Sequence, residues 1–207
     1  MNHLKVRKKN KSFQTYVNDE YIGILYRADL KGVGIKIAVD EEQSELDFEI
    51  SDENVIKLKN IVTDRAFDKA VAYASVTECC EYDVRMKLKR KDVPEYAISD
   101  ALEMMYEYNY INNERYAESY IRCYFRKKSR SLIKKELSIK NVLVDNLEEI
   151  LDRVYEDEGM SEDECIQELL DRKFRGMDLS DMKVKTKAMN LLIRHGFSFD
   201  KINNYLT

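Results

Sequence analysis

The residues best placed to do chemistry form a basic stretch in mid-chain: Arg122, Arg126-Lys127-Lys128, Arg130 and Lys134-Lys135. Arg115, Arg122 and Arg126 are spaced by seven and four, which puts them on one helical stripe. Such a stripe can grip phosphates in a sequence-independent, salt-sensitive way, or meet an acidic protein surface. It can equally be a solvated face whose cations complement a helix C-terminus. Tyr116, Tyr120 and Tyr124 share the neighbouring face. A tyrosine row can stack single-stranded bases. Tyr116 and Tyr120 fall on repeat positions that read as core, so Tyr124 and Tyr108 remain the stacking candidates. The contact set proposed by the sequence is Arg115, Arg122, Arg126, Lys127, Lys128, Arg130, Lys134, Lys135 and Tyr124.

Other chemistries find little to work with. His3 and His195 are the only histidines, and His195 precedes a glycine that reads as a helix end. Cys79, Cys80, Cys123 and Cys165 have no metal or redox spacing, and adjacent Cys79 and Cys80 cannot easily bridge. Gly32-Val33-Gly34 lacks the third glycine, and the Lys-Ser/Thr, of a phosphate loop. No Ser or Cys has a recognisable base nearby. The expectation is a non-enzyme with no cofactor, metal or small-molecule substrate.

Charge is segregated along the chain. Net charge is −4 with 36% charged residues. Residues 115–140 carry nine Lys/Arg against two Asp/Glu, whereas residues 145–171 carry one Arg against twelve Asp/Glu. The acidic run from Asp145 to Asp171 is either a solvated face or a mimic of DNA towards a basic partner. The N-terminus has basic residues but no apolar stretch after them, so no signal peptide is expected. The apolar runs fall short of the ~20 residues that span a bilayer. Free cysteines without a framework fit a reduced, cytoplasmic setting.

The elements that must position the basic stretch are helices. One proline and six glycines argue against a strand-rich fold. Val84, Leu88, Val93, Ile98 and Leu102 recur 49 residues later as Ile133, Leu137, Val142, Leu147 and Leu151. They recur again as Ala188, Leu192, Phe197, Ile202 and Leu206. Asp92, Asn141 and Gly196 precede the middle position, and these residue types tolerate the left-handed conformation that stops a helix. Upstream, Phe67, Val71 and Val76 map onto Tyr116, Tyr120 and Phe125, then onto Cys165, Leu169 and Phe174. Each unit therefore reads as three helices; the third unit's second helix arrives six residues late, after a longer loop near 175–180.

The fold expected is mainly α: three tandem three-helix repeats in an elongated, curved array, preceded by a small antiparallel β-meander. The boundaries expected are 1–62, 63–109, 110–158 and 159–207. Strands are read at Leu4–Lys8, Phe13–Val17 and Tyr21–Tyr26. Residues 27–50 are ambiguous, with an acidic patch at Asp40-Glu41-Glu42 and a short strand near Leu46–Ile50. A helix capped by Ser51 is read to Val62, and another over 64–76. Ser161-Glu162-Asp163-Glu164 fits a capping box. Asn112, Ser129, Ser180 and Ser198 are further N-cap candidates.

The segment Tyr110-Ile111-Asn112-Asn113-Glu114-Arg115-Tyr116-Ala117 resembles the junction between the first and second units of RecX-family regulatory proteins. Arg194-His195-Gly196-Phe197-Ser198 resembles the family's Arg-Arg-Gly-Phe-Ser. Val84-Arg85-Met86-Lys87-Leu88 resembles its helix ending in Leu, and the strand-rich N-terminus that of longer Gram-positive members. The chain departs where the family usually has Ser and Glu as a cap (here Cys80 and Asp83) and Lys-Gly stops (here Lys91-Asp92 and Lys140-Asn141). Each change weakens a cap by about 1 kcal/mol. The resemblance implies a regulator that lies in the groove of the RecA–DNA filament. It would damp ATP hydrolysis, strand exchange and filament growth in DNA repair, recombination and the SOS response. Two other readings stay open: a DNA-binding protein that competes for single- or double-stranded DNA, and a helical-repeat adaptor for another partner.

Overall fold

The computed structural model describes residues 1–37 and 45–206. The acidic patch Asp40-Glu41-Glu42 lies outside the described residues. The chain divides into two compact units, Met1–Ile111 and Asn112–Thr207.

The first unit opens with β1 (Asn2–Lys9), β2 (Ser12–Val17) and β3 (Glu20–Leu25). A fourth strand, β4 (Glu45–Ile50), pairs with β1. The meander expected from the sequence is thus part of a four-stranded antiparallel sheet, in the order β3-β2-β1-β4. Asn18 and Asp19 both have positive φ, 49° and 66°, as a two-residue hairpin that follows the strand twist requires. Leu4, Val6, Phe13, Val17, Ile22 and Leu25 are buried on one side. At Gly23 a Cβ would stand 2.8 Å from Val62 Cγ1, so the sheet lies close on the helix that carries Val62.

That helix corrects one expectation. The breaks read near Val62 and Thr63 do not occur; α2 runs unbroken over Asp52–Ala74, capped by Ser51. Leu58, Val62, Ala66 and Ala70 form a continuous buried stripe at i, i+4 spacing, which holds the helix through Thr63-Asp64. Val76 falls beyond the helix and is 84% exposed, so it is not a core equivalent of Phe125. The short α1 (Arg27–Gly32) is tied to α2 by a bidentate pair, Arg65 to Asp29, with both contacts at 2.7 Å. α3 (Glu81–Lys89) and α4 (Glu95–Glu107) complete the unit.

The second unit contains α5 (Asn113–Tyr124), α6 (Arg130–Ile139) and α7 (Leu147–Asp157). These are followed by α8 (Glu162–Lys173), α9 (Met182–Arg194) and α10 (Phe199–Leu206). Asn112, Ser129 and Ser161 cap helices as expected, the last in a full capping box with Glu164. Ser180 does not; Asp181 takes that role, accepting from the N–H groups of Lys183 and Val184.

The repeat is visible in backbone detail. Asp92 (φ 56°), Asn141 (φ 56°) and Gly196 (φ 82°) all take the left-handed conformation. After α3 the N–H of Asp92 donates to the Lys89 carbonyl, and that of Val93 to the Leu88 carbonyl. Asn141 and Val142 bond in the same way to Ser138 and Leu137, as do Gly196 and Phe197 to Ile193 and Leu192. This is the Schellman stop, written three times. Leu88, Leu137 and Leu192, which supply the receiving carbonyls, are all buried. A second series went unread in the sequence: Asn109 (φ 56°) and Gly159 (φ 60°) end α4 and α7 with the same bonds.

Candidate partner-binding surface

The basic stretch spans α5, the turn after it and α6. α5 forms because Asn112 accepts from the Arg115 N–H at 2.9 Å and because Tyr116, Ala117 and Ile121 bury one face. Ser129 then starts α6 by accepting from the Leu132 N–H at 3.1 Å. The cations of both helices are left towards solvent, but most of them are met by carboxylates.

Arg122 reaches Glu118 at 2.9 Å, Asp157 at 2.7 Å and Glu158 at 3.7 Å. Hydrogen bonds to Asp157 and then Glu118 hold its guanidinium above its usual pKa. Arg126 reaches Glu158 and Glu168, each at 3.3 Å. Arg130 pairs with Asp152 and lies 4.3 Å over the Tyr155 ring. Lys134 meets Glu148 at 2.5 Å. The acidic partners Glu148, Asp152, Asp157, Glu158 and Glu168 all belong to the Asp145–Asp171 run. The charge segregation along the chain is therefore matched by pairing in space, on α7 and α8.

These pairs are at the surface. Arg122 and Arg126 keep 37% and 43% of their side-chain area exposed. Exposed pairs are worth about 0–1 kcal/mol each, so an incoming anion can exchange for the internal carboxylate at small cost. Arg115 is exposed on the same helix. Lys127 and Lys135 are exposed and, among the described residues, have no ion pair.

The tyrosines form a ladder along α5. Tyr116 and Tyr120 are stacked at 5.9 Å, and Tyr120 and Tyr124 lie at 4.6 Å. Tyr116 is buried, as expected, while Tyr120 and Tyr124 are half-buried. Lys128 covers the end, with its ammonium 3.9 Å from the Tyr124 ring centre and 2.6 Å from Glu136. Tyr120 donates to the same Glu136 at 2.7 Å. Tyr124 is thus covered on one face by Lys128. Tyr108, in the first unit, is 60% exposed and tilted against Phe67 at 5.9 Å.

Cations without acidic partners among the described residues also occur outside the basic stretch. Residues 172–194 carry seven Lys/Arg and two Asp/Glu. Among the described residues, none of those seven forms an ion pair. The signal was present in the sequence as the same kind of charge count applied one segment further on.

No helix among the described residues is long and apolar enough to cross a membrane. Among the described residues no cysteine is in a disulfide; Cys79, Cys80 and Cys165 are buried and Cys123 is exposed.

A family model for the third three-helix domain of RecX matches residues 161–206, which contain α8, α9 and α10. The regulatory protein RecX of Bacillus velezensis is 30% identical over 213 aligned residues, covering 97% of this chain and 73% of that protein. The regulatory protein RecX of Clostridium perfringens (strain SM101) is 30% identical over 158 residues, covering 73% of each. A crystal structure of a regulatory protein RecX superposes with a TM-score of 0.55 over 98% of both chains, at 18% identity, and so shares the fold. Relatedness across nearly the whole chain, with the same mainly helical architecture, places this chain in the RecX family of regulatory proteins.

Proposed function

We propose that this chain is a non-enzymatic, cytoplasmic regulator that binds the RecA recombinase, as filament or monomer, and lowers its ATP hydrolysis and strand exchange in DNA repair. The observation that carries the reading is the 30% identity to a regulatory protein RecX across 97% of the chain. The units 63–109, 110–158 and 159–207 act as successive contact modules behind the strand-rich residues 1–62. The α5–α6 face, with Arg115, Arg122, Arg126, Lys127, Lys128, Arg130, Lys134 and Lys135, meets an acidic surface of the recombinase. The exposed internal ion pairs support this reading, because they exchange partners cheaply. Direct competition for DNA is the second reading, favoured by exposed Lys127 and Lys135, which have no acidic partner among the described residues.

Binding to DNA-free RecA separates the two. The first reading expects a complex without nucleic acid. The second expects binding to single-stranded DNA alone, with a log–log salt slope of about −0.7 per phosphate neutralised. Absence of both would leave only the adaptor reading.

A further inference from the structure

The three arginines of the basic stretch are held by carboxylates of the acidic run. Arg122 pairs with Asp157 and Glu158, Arg126 with Glu158 and Glu168, and Arg130 with Asp152. All of these residues belong to the second unit. Arginine is the side chain whose planar, five-donor fork best suits carboxylate or phosphate groups. Lys127 and Lys135 of the same stretch have no ion pair among the described residues.

Neither set of charges sits where its own helix favours it. α7 ends through Glu156-Asp157 into its C-cap Glu158, with no basic residue in its last turn. α6 begins on Arg130, with no acidic residue in its first turn. Carboxylates are disfavoured at the negative, C-terminal end of a helix dipole, and a guanidinium is disfavoured at the positive, N-terminal end. Nor is this clamp needed to hold α5 on α7. Phe125 and Tyr155 meet edge to face at 5.5 Å, and Ile121, Ile150 and Val154 are buried. Exposed ion pairs add little to such packing. What the pairs do is cover the arginines with an anionic surface of the chain's own.

We propose that the acidic α7–α8 face is an intramolecular competitor for the partner of the α5–α6 face. Asp157, Glu158 and Glu168 hold Arg122 and Arg126 in the free chain and give way to the partner's anionic groups. This rests on the reading that the α5–α6 face meets an acidic surface of the recombinase, and adds that the affinity of that contact is held down from within. A single anion displaces one carboxylate and leaves the others in place. A surface that presents several anions at matching spacing displaces them together, so the clamp favours an extended anionic partner over isolated anions.

The test is binding of the full chain to immobilised, DNA-free RecA at fixed ionic strength, with four proteins compared. These are the wild type, Lys127→Glu with Lys135→Glu, and the clamp variant Asp157→Asn, Glu158→Gln and Glu168→Gln. The fourth is a charge control, Asp64→Asn, Asp68→Asn and Glu103→Gln, whose acids lie in the first unit and have no ion pair among the described residues. The control makes the same change in net charge as the clamp variant. The clamp variant should bind about tenfold more tightly than wild type, because several exposed pairs no longer have to be broken. The control should stay within about twofold of wild type. Far-ultraviolet circular dichroism checks the fold; if the clamp variant unfolds, Asp157→Asn alone should tighten binding in smaller measure. Unchanged or weaker binding by the folded clamp variant, or equal tightening by the control, would overturn the proposal while leaving the α5–α6 reading intact. Absence of wild-type binding, or binding indifferent to the Lys127 and Lys135 reversals, would remove that reading and the clamp with it.

Discussion

Ser129 donates its hydroxyl to the carbonyl of Gly196 across 2.6 Å, while its own backbone N–H reaches the His195 carbonyl at 2.9 Å. The cap that starts α6 is therefore also the seat for the stop that ends α9. His195 joins the contact through Nδ1 and the Lys127 carbonyl. Gly196 is required twice over. Its φ is +82°, and a Cβ there would come within 2.5 Å of Leu132 Cβ and 2.7 Å of Ser129 Oγ. Gly196→Ala should destabilise by about 2–4 kcal/mol, combining left-handed strain with overpacking. Gly176 has φ +74° and nothing within 4 Å of a built Cβ, so Gly176→Ala should cost only about 1–2 kcal/mol. Urea midpoints of the two variants measure the difference.

Asn141 holds φ at 56° and is exposed, with its backbone N–H bonded to the Ser138 carbonyl. Asn141→Gly should be neutral or stabilising, because glycine takes this conformation without strain. Asn141→Val should destabilise, because a β-branched side chain is poorly tolerated at positive φ. Thermal unfolding of both variants gives the sign.

Leu88, Leu137 and Leu192 are at most 1% exposed, and each supplies the carbonyl that receives the stop. Truncation of any one to Ala should cost roughly 2–5 kcal/mol. A loss well under 1 kcal/mol at two of the three would contradict their equivalence.

Tyr21 donates its hydroxyl to the Asp92 carbonyl at 2.9 Å. Burial, and then the nearby Asp92 charge, push its pKa from 10.0 up to about 12. The folded chain therefore holds this proton more tightly than the unfolded chain. The stability it contributes is fully present below pH 10 and is lost as pH rises from 10 to 12. Tyr21→Phe should be less stable than wild type at pH 8, with a shallower decline across pH 10–12. Denaturation midpoints at a series of pH values test this; parallel declines in the two proteins would contradict it.

The stops at Asp92, Asn141 and Gly196 were legible in the sequence because few residue types accept positive φ, and their register recurs with the buried leucines. Asn109 and Gly159 escaped notice because they lie 50 residues apart rather than 49. The unbroken α2 was hidden by Thr63-Asp64, which has the chemistry of a cap; only the stripe from Leu58 to Ala70 overrides it. β4 was ambiguous because its alternation is weak, and its pairing with β1 is set by chain distant in sequence. The basic stretch was legible as composition, but its partners were not. Arg122 meets Asp157 35 residues on and Arg126 meets Glu168 42 residues on, and no local pattern announces such complementarity.

Those partners also decide which variant tests function cleanly. Glu in place of Arg122 or Arg126 would face Asp157, Glu158 and Glu168, and would confound stability with binding. Lys127→Glu with Lys135→Glu changes only cations that have no ion pair among the described residues. The most direct measurement is ATP hydrolysis by RecA on single-stranded DNA, titrated with the wild-type chain and with this double variant. The account predicts that hydrolysis falls with wild-type chain, and that the folded double variant needs a higher concentration for the same fall. Hydrolysis unchanged by the wild-type chain at saturating concentration would contradict it.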